Sequence, residues 1–194
     1  HMLGDLASSL AGTPSNAMAV FAVAGDDDDI IHAGVKHLAD FLHMLGNPVA
    51  VIDSTGSTSM TRSLNLSYPL GILDVQRTLA VCAEDGVAAV IIAMNNATLQ
   101  REALESVNVD VLGSERVAQG EDVASLKTRY AFVSDRALAL TVPTGESDEL
   151  AAESPAMFDQ DRLGHMSLAV AMVLAAGVRR NNVRSALRVA NNLR

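Results

Sequence analysis

The sequence predicts an α/β domain of three layers, in which helices cover both faces of a mostly parallel β-sheet. Short apolar runs alternate with longer amphipathic stretches along the 194 residues, a pattern typical of parallel strands joined by helical crossovers. Hydrophobic residues make up 49% of the chain but aromatic residues only 3%. The core must therefore be aliphatic, as in sheets that are buried on both faces. We expect one domain over residues 3–194, because His1-Met2 resembles the remnant of an expression tag.

Periodicity and stop signals define the elements in the first half of the chain. The run AMAVFAVA is continuous and apolar, which predicts a strand covered on both faces. The next stretch has apolar residues at helical spacing and ends at the stop signal Gly46-Asn47-Pro48. In chain order we predict a helix over 5–11, a strand over 17–24, a helix over 30–45, a strand over 49–52, a polar Ser/Thr loop over 53–67 and a helix over 70–84.

The second half continues the alternation and ends in two helices. The run VAAVIIA follows Gly86 and predicts a buried strand. The remaining predictions are strands over 87–93, 109–112, 130–133 and 137–142, helices over 97–106, 162–176 and 182–192, and an acidic loop over 144–155.

Charge and composition exclude several classes of function. The formal net charge is −9, and Lys and Arg cluster only in residues 179–194, so nucleic acid is not an expected partner. No apolar run approaches the roughly 18 residues of a membrane span, and no signal peptide is recognisable, so we expect a cytoplasmic protein. The single cysteine, Cys82, lies in an apolar helical run and is predicted to be a buried structural thiol.

The turn after the first strand is the first place to look for a ligand, because ligands of such folds gather at the carboxyl ends of strands. It reads AGDDDDIIHAG. A helix N-terminus suits anions, but Asp26–Asp29 already supply negative charge, and the nearest lysine, Lys36, is about two helical turns further on. We interpret the aspartates as helix caps. The alternative is a divalent-cation site formed by Asp26, Asp27, Asp28 and Asp29, although their spacing differs from that of a calcium loop.

The stretch LASSLAGTPSNAMAVFAVAGDDDDIIHAGVKHLADFLHMLGNPVAVIDSTGS resembles the opening of the central, ATP-binding domain of Mur ligases. It is most similar to the UDP-N-acetylmuramoyl-tripeptide synthetase branch. The resemblance implies a P-loop-NTPase-like fold, with no amino-terminal substrate domain and no carboxy-terminal closing domain in this chain. Against the family's loop T-G-T-N-G-K-T-T, Gly25 fits the first glycine, whereas Asp28 falls on the second glycine, Asp29 on the lysine and Ile30 on a threonine.

Later segments extend the resemblance over nearly the whole chain. Packing positions in SYPLGILDVQRTLAVCAEDGVAAVIIAMNNATLQ match the family, but Ala93 stands at its magnesium-binding glutamate. Lys127 matches its metal-bridging lysine if a short gap is allowed. In the closing segment, Arg162 and His165 stand where the family has two asparagines.

The family forms an acyl phosphate from a carboxylate and ATP, with a loop lysine and magnesium stabilising the transferred phosphoryl group. Because those positions are replaced, we predict a degenerate nucleotide loop over Gly25, Asp26, Asp27, Asp28, Asp29 and Ile30, with no catalytic residue and no cofactor. The leading hypothesis is a pseudoenzyme that acts as a scaffold in cell-wall-related biology. Its partner would be another protein or other domains of a longer chain. The alternatives are an ATP- and magnesium-dependent carboxylate–amine ligase with an altered site, and a cation-binding module at Asp26–Asp29.

Three histidines lie on one predicted helix. His32, His37 and His43 are separated by five and six residues, whereas zinc-binding pairs on a helix are three or four residues apart. We therefore interpret them as ordinary side chains.

Overall fold

A computed structural model describes residues 18–116, 121–154 and 160–192. Strands and helices alternate from the first described residues to the last. The strands are β1 (Ala19–Ala24), β2 (Val49–Ile52), β3 (Ser57–Ser59), β4 (Arg62–Leu64), β5 (Ala89–Ala93), β6 (Val111–Ser114) and β7 (Leu140–Thr141). The helices are α1 (Asp28–Met44), α2 (Ile72–Glu84), α3 (Val123–Tyr130), α4 (Gly145–Ala152), α5 (Gln160–Ala175) and α6 (Arg180–Asn192).

Within the described residues, the strands form one sheet in the order β4-β3-β2-β5-β1-β6-β7. From β2 to β7 in this order the neighbouring strands are parallel, whereas β3 and β4 add an antiparallel hairpin at one edge. β1 lies inside the sheet, between β5 and β6. The predicted mostly parallel α/β sheet is confirmed.

Alternate residues of β1 face two separate cores. Phe21 and Val23 belong to the cluster formed with α1, α4, α5 and α6, whereas Val20 and Ala22 belong to the cluster formed with α2 and α3. Because both faces of the strand are covered, its sequence is apolar throughout rather than alternating. The predicted three layers are therefore present. Cys82 is fully buried in the second cluster, and burial raises the pKa of its thiol.

Residues 97–106 do not form the predicted helix. They follow a series of turns in which Leu70 and Leu99 form an isolated parallel bridge. The Leu104 amide donates to the Tyr130 carbonyl at 2.9 Å rather than to a carbonyl one helical turn earlier. Helical periodicity misled the prediction here, because the apolar side chains are buried by long-range pairing.

The polar loop predicted over 53–67 contains the β3–β4 hairpin. Ser57 and Ser59 are buried although they are polar. Their hydroxyl groups bond to Tyr68 and Asp85, respectively. Side-chain partners thus allow a strand that composition alone does not predict.

Three further predictions on the second half were wrong. The strand over 130–133 is absent, because Tyr130 instead ends α3, a helix capped by Asp122. The strand over 137–142 is reduced to the two residues of β7. The acidic loop over 144–155 contains α4, in which the Thr144 side chain caps the Ser147 amide and Leu150 is buried.

The other predicted helices and strands within the described residues are present. β2 has the predicted bounds, and the others differ from the prediction at one or both ends. The helix predicted over residues 5–11 lies outside the described residues. No helix in the described ranges is long and apolar enough to cross a membrane.

Candidate functional site

Four neighbouring parallel strands end at the same edge of the sheet, and the segments that follow them form the candidate site. β1 leads into Gly25 and the acidic run, and β5 leads into Asn95. β2 is followed directly by Asp53, and β6 ends at Ser114. This edge is where ligands bind in open α/β sheets.

The N-terminus of α1 is capped by its own acidic loop. Asp27 is the N-cap residue, and its Oδ1 accepts hydrogen bonds from the amides of Asp29 at 2.8 Å and Ile30 at 3.3 Å. All four aspartates of the run are exposed. The donors that would otherwise face a ligand anion therefore already have a carboxylate partner.

A second contact ties this loop to β5. The Asn95 side-chain amide donates to Asp28 Oδ1 at 3.1 Å, and Asn95 is 6% exposed. Its Oδ1 accepts from the Thr98 amide at 3.0 Å. Asn95 is thus satisfied on both sides and holds the acidic loop against the end of the strand.

At the positions where the resemblance places phosphate and magnesium ligands, this chain has side chains that do not suit those ligands. Ala93 is fully buried and presents a methyl group where the resemblance places a metal-binding glutamate. Asp29 is an exposed carboxylate at the position of the loop lysine, and Lys127 is exposed on the last turn of α3. The residues present do not fit a magnesium-bound triphosphate, because a hard cation needs oxygen ligands and the phosphates need positive charge.

Among the described residues, no group of three His, Cys, Asp or Glu side chains is arranged to hold a metal ion. A cation site formed by Asp26, Asp27, Asp28 and Asp29 stays a prediction.

His32 contacts a buried carboxylate, which the sequence analysis did not predict. Its Nδ1 is 2.7 Å from Asp53 Oδ1, at an angle outside that of a hydrogen bond. The same oxygen accepts hydrogen bonds from the amide and the hydroxyl of Thr55, both at 3.0 Å. Their positions in the sequence could have suggested this contact, because Asp53 directly follows a strand and His32 lies in the first turns of α1.

The other two histidines of α1 do not join His32. His37 packs its ring against His165 of α5, with ring centroids 5.1 Å apart. His165 Nδ1 is in turn bonded to Glu115 Oε2, just after β6. His43 is exposed near the end of α1. The interpretation of the three histidines as ordinary side chains missed the partners of His32 and His37 elsewhere in the chain.

A groove of about 840 Å³ lies along the flank of α1, beside β2 and the β3–β4 hairpin. His32 and Asp53 are among its lining residues, at the edge of the sheet where the strands end. The groove then follows α1 toward His43 and the Gly46-Asn47-Pro48 turn. It is thus a feature separate from the capped helix N-terminus.

Comparison with solved structures shows that the fold is Mur-ligase-like. No protein-family model matches the chain, and no curated protein matches it. Structures of folylpolyglutamate synthase, a member of the Mur ligase family, are among the similar ones. The bifunctional folylpolyglutamate synthase/dihydrofolate synthase of Yersinia pestis CO92 is 15% identical, with a TM-score of 0.60 over 96% of this chain and 61% of that one.

Two structures of E. coli FolC are also similar. One, in complex with ADP and without folate substrate, has a TM-score of 0.55 at 16% identity and covers 93% of this chain and 60% of that chain. The other, in complex with DHPP and ADP, has a TM-score of 0.56 at 17% identity with the same coverage of 93% and 60%. This chain therefore spans about 60% of the length of these proteins. At such identities the likeness shows the fold.

Proposed function

We propose that this chain is a non-catalytic domain of Mur-ligase-like fold that acts as a scaffold or protein-interaction module. The observation that carries the proposal is the Asp27 carboxylate, which accepts hydrogen bonds from the Asp29 and Ile30 amides. In a phosphate-binding loop the amides at this end of the helix donate to phosphate oxygens. A triphosphate would have to displace an anion that belongs to the loop itself.

Electrostatic repulsion supports the same conclusion. Asp26, Asp28 and Asp29 are exposed beside the capping carboxylate, in a chain whose formal net charge is −9. Two like unit charges 4 Å apart repel by about 1 kcal/mol in bulk water and by about 4 kcal/mol near a protein surface. Exposed carboxylates beside a triphosphate therefore add a repulsion that works against the attraction of the helix dipole, which contributes up to about 2 kcal/mol.

The biological setting belongs to this proposal as well. The residues at the family's packing positions match in this chain, whereas those at the phosphate and metal positions are replaced. Its surface is then the part that is left to bind a partner. We propose a protein partner or other domains of a longer chain as the binding partner, in a cytoplasmic, cell-wall-related role without a cofactor. The branch proposed as its origin is that of the UDP-N-acetylmuramoyl-tripeptide synthetases, on the motifs quoted above.

A second candidate function is an ATP- and magnesium-dependent carboxylate–amine ligase with an altered site. The fold likeness to FolC favours it, since two of the similar structures are complexes with ADP. In this chain such a ligase would need phosphate contacts other than the two amides that Asp27 occupies. Nucleotide binding therefore separates the two candidates.

Amide NMR tests the first proposal at the residues that carry it. We expect the Asp29 and Ile30 amide resonances to stay in place when ATP and magnesium reach millimolar concentration. The matched variant Asp27→Gly/Asp29→Lys removes the capping carboxylate and places a lysine where the family has one, and we expect ATP to shift loop resonances in this variant. Saturable shifts of the same amides in the wild-type protein would overturn the proposal and favour the ligase.

A further inference from the structure

The groove along α1 has an apolar floor built by β2 and β3. Val51 pairs with Thr58 across the antiparallel ladder, so their side chains share the face that lies beside α1. Val49 lies two residues before Val51 on the same face, and the Val49 carbonyl accepts from the Met60 amide at 2.9 Å. Met60 is 48% exposed and is among the residues that line the groove.

The helical wall of the groove carries cationic and hydrogen-bonding groups. His32, Lys36 and His43 all line it, and at about 1.5 Å per residue they span about 16 Å of α1. Lys36 is one of two lysines in the chain. It is exposed and lies one turn after His32, so both side chains reach the same end of the groove.

Two carboxylates, Asp40 and Asp53, also line the groove. Asp53 is 3% exposed, and its Oδ1 accepts hydrogen bonds from Thr55 and lies 2.7 Å from His32 Nδ1. Because Nδ1 faces Asp53, Nε2 is the ring nitrogen of His32 that remains for a ligand. Asp40 follows Lys36 by one turn, on the side away from His32, so the helix wall between His32 and Lys36 carries no carboxylate of its own.

We propose that this groove binds a small molecule with an apolar body and one acidic group, either a carboxylate or a phosphate. Its acidic group binds at Lys36 Nζ with His32 Nε2 beside it, and its body lies on Val49, Val51 and Met60. The volume of about 840 Å³ falls within the roughly 300–1,000 Å³ of small-molecule sites, which are mostly apolar with a few polar groups that fix orientation. The site is independent of the nucleotide loop and of the function proposed above.

Calorimetric titration with three probes that share one alkyl chain tests this proposal. Decanoate and decyl phosphate carry the acidic group, and decylammonium carries the opposite charge. We expect saturable binding of at least one of the acids, with a Kd at least about tenfold below that of decylammonium, because a charge-assisted hydrogen bond contributes about 1.5–3 kcal/mol. The tighter of the two acids identifies the carboxylate or the phosphate as the preferred group.

Lys36→Gln and Lys127→Gln provide a matched pair, since each removes one lysine charge from an exposed helix position. We expect Lys36→Gln to weaken binding of the acid about tenfold and Lys127→Gln to leave it within about twofold. The proposal is overturned if neither acid binds saturably, if decylammonium binds as tightly as the acids, or if the two variants behave alike. None of these outcomes depends on whether the protein binds ATP, so the test is separate from that of the proposed function.

Discussion

The imidazole of His37 lies between α1 and α5, where four groups act on its charge. Burial lowers the pKa of His37 below its usual value of 6.5, and a hydrogen bond to the Ala33 carbonyl partly opposes this effect. The facing His165 and nearby Arg162 lower the pKa further, whereas Asp40 raises it. The neutral ring is therefore the form that the folded protein favours.

This preference links stability to pH. The unfolded chain binds a proton on residue 37 near pH 6.5, whereas the folded protein binds it only at lower pH. The unfolded state thus holds more protons below that pH, so the free energy of unfolding decreases as the pH falls from about 6.5 through the folded pKa. We expect urea unfolding of His37→Gln to show a weaker loss of stability between pH 7 and 5 than the wild-type protein. His43→Gln, at an exposed position of the same helix, is the control. Equal slopes for wild-type and His37→Gln would contradict this account.

Asp27 allows a test of the cap itself. Replacing a capping aspartate by alanine removes the partner of the Asp29 and Ile30 amides, so we expect Asp27→Ala to lower the free energy of unfolding by about 1 kcal/mol. Asn also caps helices, and Asp27→Asn should lose much less. Chemical denaturation of Asp26→Ala serves as the control because Asp26 precedes the cap. A loss in Asp26→Ala equal to that in Asp27→Ala would show that charge, rather than capping, dominates.

At the scale of single elements, the β3–β4 hairpin is attached to the end of α2 through one carboxylate. Asp85 Oδ2 accepts from the Ser59 hydroxyl at 2.7 Å and from the Arg62 guanidinium at 2.5 Å. These hydrogen bonds hold the pKa of Asp85 below its usual value. Arg62 belongs to β4, the edge strand of the sheet, so this ion pair ties the outermost strand to the end of α2.

Loss of that carboxylate should loosen the hairpin alone. We expect Asp85→Ala to accelerate hydrogen exchange of the β3 and β4 amides, with little change in the central strands, because a local opening does not require global unfolding. Glu84→Ala, one residue earlier and also exposed, is the matched control. Unchanged exchange in the hairpin of Asp85→Ala would show that backbone pairing with β2 is sufficient.

Elements with local signals could be predicted, and those held by distant partners could not. The helix α1 has helical spacing, an acidic first turn and a Gly-Asn-Pro stop, all within one stretch of sequence. The turns over 97–106 instead depend on bridges to Leu70 and to the end of α3. The sequence immediately around residues 97–106 does not show that these turns have distant partners.

At the scale of the whole molecule, the order of apolar runs was enough to predict a parallel sheet covered on both faces, which the described residues confirm. The candidate site was harder to predict from the sequence. The sequence showed that the loop after β1 is acidic, but the contacts Asn95–Asp28, His32–Asp53 and His165–Glu115 join segments that only the sheet topology brings together. Side chains at the ends of different strands meet because those strands are neighbours, and the strand order has no local signal.

The central claim is that the nucleotide loop of this Mur-ligase-like fold is closed by its own carboxylate. Calorimetric titration of the protein with ATP, with and without magnesium, tests it most directly. We predict no saturable heat at millimolar ATP under either condition, because the α1 amides are occupied and the loop is acidic. Saturable, magnesium-dependent binding at one site per chain would contradict the account and place the ligase function first.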